Sequence, residues 1–326
     1  MGAQEAKNMQ SLRRRALNRS ELKKVIRGTI VTMPTAFDDN YKLDLDTMAE
    51  ITKWYISEGL GGETSPLKVA AAMGEGPDLA DDELAPLLKC VIDAADGKAN
   101  IICAVKPKNT MHTIEDAKMA QDLGAIGLQI DLPFFHHAKQ DDNVRHFTDI
   151  SDAIDIGIMI YNTHWFCHSP VEEYLTADSM LRLADAEHVT AIKWGVPDGE
   201  DYDDMTKFSD IFNVIDNTGQ TERCMRNGGA GYISSLIAVS PAYEQAQWKL
   251  YEAGKYEEAN AKKAEVQGVL APWQAATGRK SGGYRQMKGM LEAMGKSMGP
   301  TRPPTLPLDA AEVAQAGEAA RKLGWM

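Results

Sequence analysis

The sequence predicts a (β/α)8 barrel followed by a C-terminal helical region. Three observations predict it. Short β-branched runs alternate with helix-patterned segments, the mark of a parallel sheet. Eight such runs fall between Gly28 and Ser234, enough to close a barrel. No Gly-rich dinucleotide fingerprint follows the first run, which argues against an open doubly wound sheet.

The first run, from Gly28 to Met33, is stopped by Pro34. A helix from Asp44 to Ser57 follows, because Leu45, Met48, Ile51, Trp54 and Tyr55 recur at helical spacing behind Asp44 or Asp46 as N-cap. Further strands are expected at Val69–Met73, Ile101–Val105, Gly127–Leu132, Gly157–Tyr161, Thr190–Lys193, Phe212–Asp216 and Gly231–Ser234. Helices are expected between most of them, at Asp81–Ala95, Met111–Leu123, Asp142–Ala153 and Ala177–Ala186, and more weakly at Asp204–Ser209. Past Ser240 the strand signal stops, and four helical segments remain: Pro241–Ala253, Tyr256–Ala276, Tyr284–Met294 and Ala310–Leu323. The expected organisation is an N-terminal extension (1–26) outside the main fold, a barrel domain (27–253) and a helical region (254–326).

Composition excludes several functions. The 326 residues carry a formal net charge of −12, which repels nucleic acid and anionic membrane. The longest apolar runs are too short to span a bilayer. Arg13, Arg14 and Arg15 are not followed by an apolar segment of the kind a secretory signal needs. Cys90, Cys103, Cys167 and Cys224 are widely spaced with no CxxC pair, as expected of free thiols in a reducing compartment. A cytoplasmic enzyme with a small-molecule substrate is the expectation.

In a barrel, chemistry sits at the C-terminal ends of the strands. Lys193 ends the run Val189–Lys193, where desolvation would lower its pKa and free the amine to attack a carbonyl. The plainer reading is a solvated lysine at a strand end. Tyr161 ends the preceding strand, and its hydroxyl could shuttle protons beside such a lysine or be an ordinary core hydroxyl. Adjacent strands would bring both tips into one pocket.

Several segments carry a resemblance. Tyr161-Asn162, Ala191-Ile192-Lys193, the run Gly228 to Ser234 that includes Ile233, Met73-Gly74-Glu75 with Leu79 and Glu83, His146-Phe147, Lys288 to Leu291, and Arg302-Pro303-Pro304 occur in the order found in one family. The chain resembles the dihydrodipicolinate synthase / N-acetylneuraminate lyase family of class I aldolases, over about residues 27–323. The resemblance implies a barrel in which Lys193 forms a Schiff base and Tyr161 relays protons. It implies no metal and no organic cofactor, and a homo-oligomer, commonly a tetramer, with a dimer the other expectation.

The chain departs from that family where substrate is held. The pattern Gly-Thr-Thr-Gly-Glu is here Ala71-Ala72-Met73-Gly74-Glu75, without either threonine hydroxyl. Pro-Tyr-Tyr is here Pro133-Phe134-Phe135, and the arginine after Tyr-Asn gives way to Thr163-His164-Trp165-Phe166-Cys167-His168. Losing such hydrogen-bonding partners argues against the same substrate. Met73, Gly74, Glu75, Phe135, His164, Trp165, His168 and Ile233 are therefore the expected substrate contacts. Trp165, Phe166, Phe134, Phe135 and Trp194 would suit an apolar or aromatic partner, unless they face the core. His136, His137, His164 and His168 are candidates for acid–base work, for a metal, or for structure. Glu75 could equally hold loop amides, and Asp216 and Asn217 could bind a substrate hydroxyl. Gly228–Gly231 reads as close backbone approach at the barrel mouth rather than a phosphate loop, since it precedes a strand.

The expected function is a Schiff-base lyase or aldolase acting on a 2-oxo acid such as pyruvate, with a bulky or aromatic partner. The alternatives are a dehydratase of a sugar-derived oxo acid, or a non-catalytic barrel that lost its proton relay.

Overall fold

The computed structural model describes residues 17–278 and 283–326. Eight parallel strands pair in chain order and close: β1 Gly28–Thr32, β2 Leu67–Val69, β3 Ile101–Val105, β4 Gly127–Asp131, β5 Gly157–Tyr161, β6 Val189–Trp194, β7 Asn213–Asp216 and β8 Gly231–Ser234. The ring is completed where β1 pairs with β8, Gly28 opposite Gly231. This is the expected (β/α)8 barrel. No helix among the described residues is long and apolar enough to cross a membrane.

Strand periodicity sorts the side chains onto two faces. Residues such as Leu67, Val69, Leu128, Ile130, Ile158, Ile160, Ile192 and Val214 point outward into the core shared with the helices. Ile30, Ile102, Met159, Ala191 and Ile215 fill the lower interior. The upper interior is polar, built from Lys68, Gln129, Asp131, Tyr161 and Lys193.

The helices form the outer layer: α1 Arg19–Val25, α2 Leu45–Ser57, α3 Leu84–Ala95, α4 Thr110–Leu123, α5 Gln140–Ser151, α6 Pro170–Glu173, α7 Ala177–Arg182, α8 Thr221–Arg226 and α9 Pro241–Glu252. Three more follow: α10 Tyr256–Thr277, α11 Tyr284–Ala293 and α12 Ala310–Lys322. Asp44 caps α2 as expected, its carboxylate accepting from the Thr47 amide. The weak helix expected at Asp204–Ser209 is instead a 3-10 turn over Tyr202–Lys207. The short helices α6 and α8 have too few turns to show a period in sequence.

Residues 1–16 lie outside the described residues. The rest of the expected N-terminal extension is part of the fold. Helix α1 closes the bottom of the barrel, with Leu22 and Ile26 fully buried. Each such side chain contributes about 1.5–3 kcal/mol. Gly127 and Gly157 make room for Ile26, since a Cβ there would stand 2.8 and 2.5 Å from its Cδ1. Arg19 donates to the carbonyls of Ala184, Ala186 and Val189, and Asn213 donates to those of Lys23 and Ile26. The glycine run before β8 also differs in place. Gly231 does approach Gly28 closely, but at the N-terminal end of the strands, opposite the mouth.

Candidate active site

Lys193 is inward-facing and 6% exposed at the C-terminal end of β6. It stands opposite Tyr161 of β5, which stands opposite Asp131 of β4. Parallel register thus sets an amine, a phenol and a carboxylate side by side on three neighbouring strands. Lys193 Nζ lies 3.3 Å from the centre of the Tyr161 ring, over its face. A cation there is stabilised by the ring, and a neutral amine fits equally. Burial pushes the Lys193 pKa well below the usual lysine range, and Lys68 adds to the effect while Asp131 opposes it.

Tyr161 does not present its hydroxyl to Nζ in the way the sequence suggested. The hydroxyl accepts from Asn217 Nδ2 at 3.4 Å, and the ring packs edge-on against Trp165 at 5.4 Å. Burial, with Asp131 nearby, pushes the phenol up, so it stays protonated. Asn217 therefore belongs to the site. Asp216 does not: it faces outward and accepts from Tyr202, Thr218 and Thr221.

Sequence reasoning missed three residues here. Lys68, on β2, is fully buried within the barrel and donates to Gln129 Oε1 at 2.8 Å. Gln129 Nε2 in turn donates to Asp131 Oδ1 at 3.1 Å. Burial lowers Lys68 to about 7, and it raises Asp131 to about 6 against the opposing pull of Lys193, the Gln129 bond and Lys68. The strand was expected at Val69–Met73, which left Lys68 in a loop. Beyond Val69 the chain turns instead: Ala70 has φ +60°, and Ala72–Gly74 is a 3-10 turn.

A cavity of about 490 Å³ opens beside Gln129 and Asp131. Its lining is mostly apolar, with Phe134, Phe135 and Phe166 on one wall and Ala70, Ala72 and Pro77 on another. Phe134 and Phe166 pack at 5.1 Å. Lys106, at the end of β3, also lines it and donates to the Leu79 carbonyl. Phe135 is thus placed at a cavity, as is Phe166. Trp194 is not. It is 1% exposed, packs against Phe208 and donates to the Tyr202 carbonyl.

The other expected contacts are dispersed. The end of the Met73 side chain lies against Gly283, and the Gly74 carbonyl accepts from Thr35. Glu75 is engaged by Lys288 at 2.5 Å and by the Arg302 amide at 3.0 Å. That is the backbone-holding reading of this carboxylate. Ile233 packs on the lower apolar layer. His164 is half-buried against Trp165, its ring near Gly195, and its buried Nδ1 has no hydrogen-bond partner among the described residues. Burial lowers its pKa. His168 and His137 instead gather around Glu173: the His168 amide donates to that carboxylate, and His137 Nδ1 stands 3.4 Å from it. His146 is bonded to Thr110, with its pKa lowered by burial to about 4. Among the described residues no three His, Cys, Asp or Glu side chains are arranged to hold a metal ion.

Comparison with known proteins bears on this geometry. The family model described as the dihydrodipicolinate synthetase family matches residues 25–322. The 4-hydroxy-tetrahydrodipicolinate synthase of Corynebacterium urealyticum is 27% identical over 298 residues, covering 88% of this chain and 92% of that one. Synthase 1 of Halalkalibacterium halodurans is 28% identical over 291 residues, covering 88% and 94%. Among solved structures, the dihydrodipicolinate synthase of Acinetobacter baumannii complexed with pyruvate superposes with a TM-score of 0.77 at 21% identity, covering 92% of this chain and all of that one. That of Thermotoga maritima gives 0.75 at 22% identity, covering 93% and 100%. At these identities the structural likeness is one of fold.

Proposed function

The chain belongs to the dihydrodipicolinate synthetase family of Schiff-base class I lyases, and on that premise we propose that Lys193 forms an imine with a 2-oxo acid such as pyruvate. One observation carries the reading: a lysine buried at the C-terminal end of a barrel strand, its pKa pushed well below the usual lysine range by burial and by the nearby Lys68. The amine attacks the 2-oxo carbon, and water leaves with the oxo oxygen. The resulting iminium draws electrons from the neighbouring carbon, so a C–C bond there can form or break. Tyr161, with its hydroxyl protonated and its ring under Nζ, orients the amine and is a proton donor for the departing oxygen.

The cavity beside Asp131 supports an apolar or aromatic partner, since Phe134, Phe135 and Phe166 line it and Lys106 offers one cation to a carboxylate. Such a lining has few groups to satisfy the hydroxyls of a sugar acid, which favours a lyase of apolar adducts over a sugar-acid dehydratase. Of the other expected contacts, Trp165 packs on Tyr161 and His164 packs on Trp165, and these are the ones this reading retains. Replacing Phe166 by Ala should raise KM for an aromatic aldehyde by about tenfold and leave pyruvate binding nearly unchanged, as steady-state kinetics with the two substrates varied in turn would reveal. The reading includes a cytoplasmic homo-oligomer, and light scattering tests the assembly.

The central test is covalent. Pyruvate with borohydride should give a reduced adduct, found by mass spectrometry on the peptide that contains Lys193. No adduct with any small 2-oxo acid would remove the proposal.

A further inference from the structure

We propose that Asp131 is the acid–base residue of the Lys193 site, and that Gln129 and Lys68 hold it in place. The inference rests on the Schiff-base reading above and goes beyond it by naming the group that moves the proton at carbon. Geometry carries the argument. Asp131 stands one strand beyond Tyr161 and two from Lys193 in direct register. Its side chain is only partly buried, and it lines the cavity that lies against the site. A carboxylate in that position meets both the amine-bound carbon chain and whatever fills the cavity.

The supporting chain is unusual. Lys68 is enclosed completely within the barrel, where an ammonium or amine needs a specific partner. Among the described residues its one hydrogen-bond partner is Gln129, which passes the contact on to Asp131. The bond fixes the amide: Oε1 accepts from Lys68, so Nε2 must donate, and it donates to Asp131 Oδ1. One carboxylate oxygen is thereby anchored, which leaves the other to substrate. The chain also has Ala72, Met73 and Phe135 where the family pattern it resembles carries threonine and tyrosine hydroxyls. Asp131 is an ionisable group that stands in the same mouth.

The steps balance with this one group. In the cleavage direction, Asp131 as carboxylate takes the proton from the hydroxyl on C4 of the imine-bound adduct. The C3–C4 bond breaks, its electron pair passes to the iminium nitrogen, and an aldehyde leaves with an enamine remaining on Lys193. The same carboxylic acid then returns its proton to C3, which restores the iminium, and water releases pyruvate. One proton is taken and one returned, with no further co-reactant.

The charged and titratable groups that face Asp131 are Lys68 from β2, Lys106 at the end of β3, Tyr161 from β5 and Lys193 from β6. The two lysines inside the barrel favour its ionised form, while burial favours the neutral form. That balance puts the carboxyl close to neutrality, where a group can both accept and return a proton.

The test is exchange of the pyruvate methyl protons with solvent deuterium, followed by NMR, together with borohydride trapping. The full-length chain should trap pyruvate and exchange its methyl protons. Asp131→Asn should still trap pyruvate on Lys193, which certifies a folded site, but exchange about 100-fold more slowly or less. Trapping with exchange within a few-fold of the natural chain would overturn the role of Asp131 and leave the Schiff-base reading standing. No trapping by the natural chain would overturn that reading, and this inference with it. Should D131N fail to trap, the pH profile at saturating pyruvate decides. Exchange by the natural chain should rise through a limb at or below about pH 6, and Lys68→Met should displace that limb upward. A flat profile, or a limb that K68M leaves in place, would overturn the proposal.

Discussion

Replacing Lys193 by arginine is expected to abolish imine trapping and to lower turnover by on the order of 10⁵–10⁶, the scale set by removing an activated covalent nucleophile. Arginine keeps the charge, the stem and the chance to stack on Tyr161, so the site can stay folded. It cannot lose its proton in a protein, and so it cannot attack a carbonyl. The same logic fixes the pH dependence of the natural chain. Lys193 reacts as the free amine, and burial together with Lys68 holds its pKa well below the ordinary range. The free amine is therefore available at lower pH than for an ordinary lysine, and imine formation declines as pH falls through that lowered pKa. Removing Lys68 takes away a neighbouring cation, so Lys193 should hold its proton to higher pH and trapping should slow near neutrality. Turnover by K193R within about a hundredfold of the natural chain would place the chemistry elsewhere. Lys68 would then be the first alternative, as a fully buried amine in the same barrel whose pKa burial lowers to about 7. Peptide mapping of the trapped adduct separates the two.

The barrel was legible because its signal is repeated. Each strand is a short apolar run, and even where one boundary slipped, the alternation with helices survived. The position of Lys193 was legible for the same reason, since it follows a run that could only be a buried strand. Individual site residues were harder to read, and the failures have physical causes. Lys68 sits in a strand of three residues, flanked by Leu67 and Val69, ahead of an alanine-rich turn that looks more strand-like than the strand itself. A signal existed in β4, where Gln129 and Asp131 alternate with Leu128 and Ile130. That period of two marks one polar face, and a barrel allows a polar face only inward or at the mouth. Trp194 and Asp216 show the converse. Both are the last residues of their strands, but one residue of register sends each of them to the helix side. Long-range pairings, such as Glu75 with Lys288, leave no trace at all in local spacing.

That pairing carries the second large expectation. Glu75 has no exposed surface and Lys288 is 4% exposed, and the two meet at 2.5 Å. Burial pushes Glu75 upward and Lys288 downward, and each partner opposes the other's shift. Around them, Lys288 donates to the Pro300 carbonyl and lies over the Phe37 ring, while Arg302 covers the same ring and forks onto Glu83. The loop that leaves β2, and with it the setting of Lys68, is thus tied to α11 and to the segment beyond it. Lys288→Met should strand a buried carboxylate and destabilise the fold by about 3–5 kcal/mol, measured by denaturant unfolding near neutral pH. The sign of its pH dependence follows from the proton balance. Without Lys288 the Glu75 pKa rises further in the folded state, so the folded chain binds more protons than the unfolded one. Its stability then falls as pH rises past the ordinary glutamate range, and the deficit shrinks on acidification. Combining Lys288→Met with Glu75→Leu should recover much of the loss, because no charge is left buried alone. If the double variant is as unstable as the sum of the singles, the ion pair is not what joins the β2 loop to α11, and the contacts of Phe37 with Arg302 would have to account for it instead.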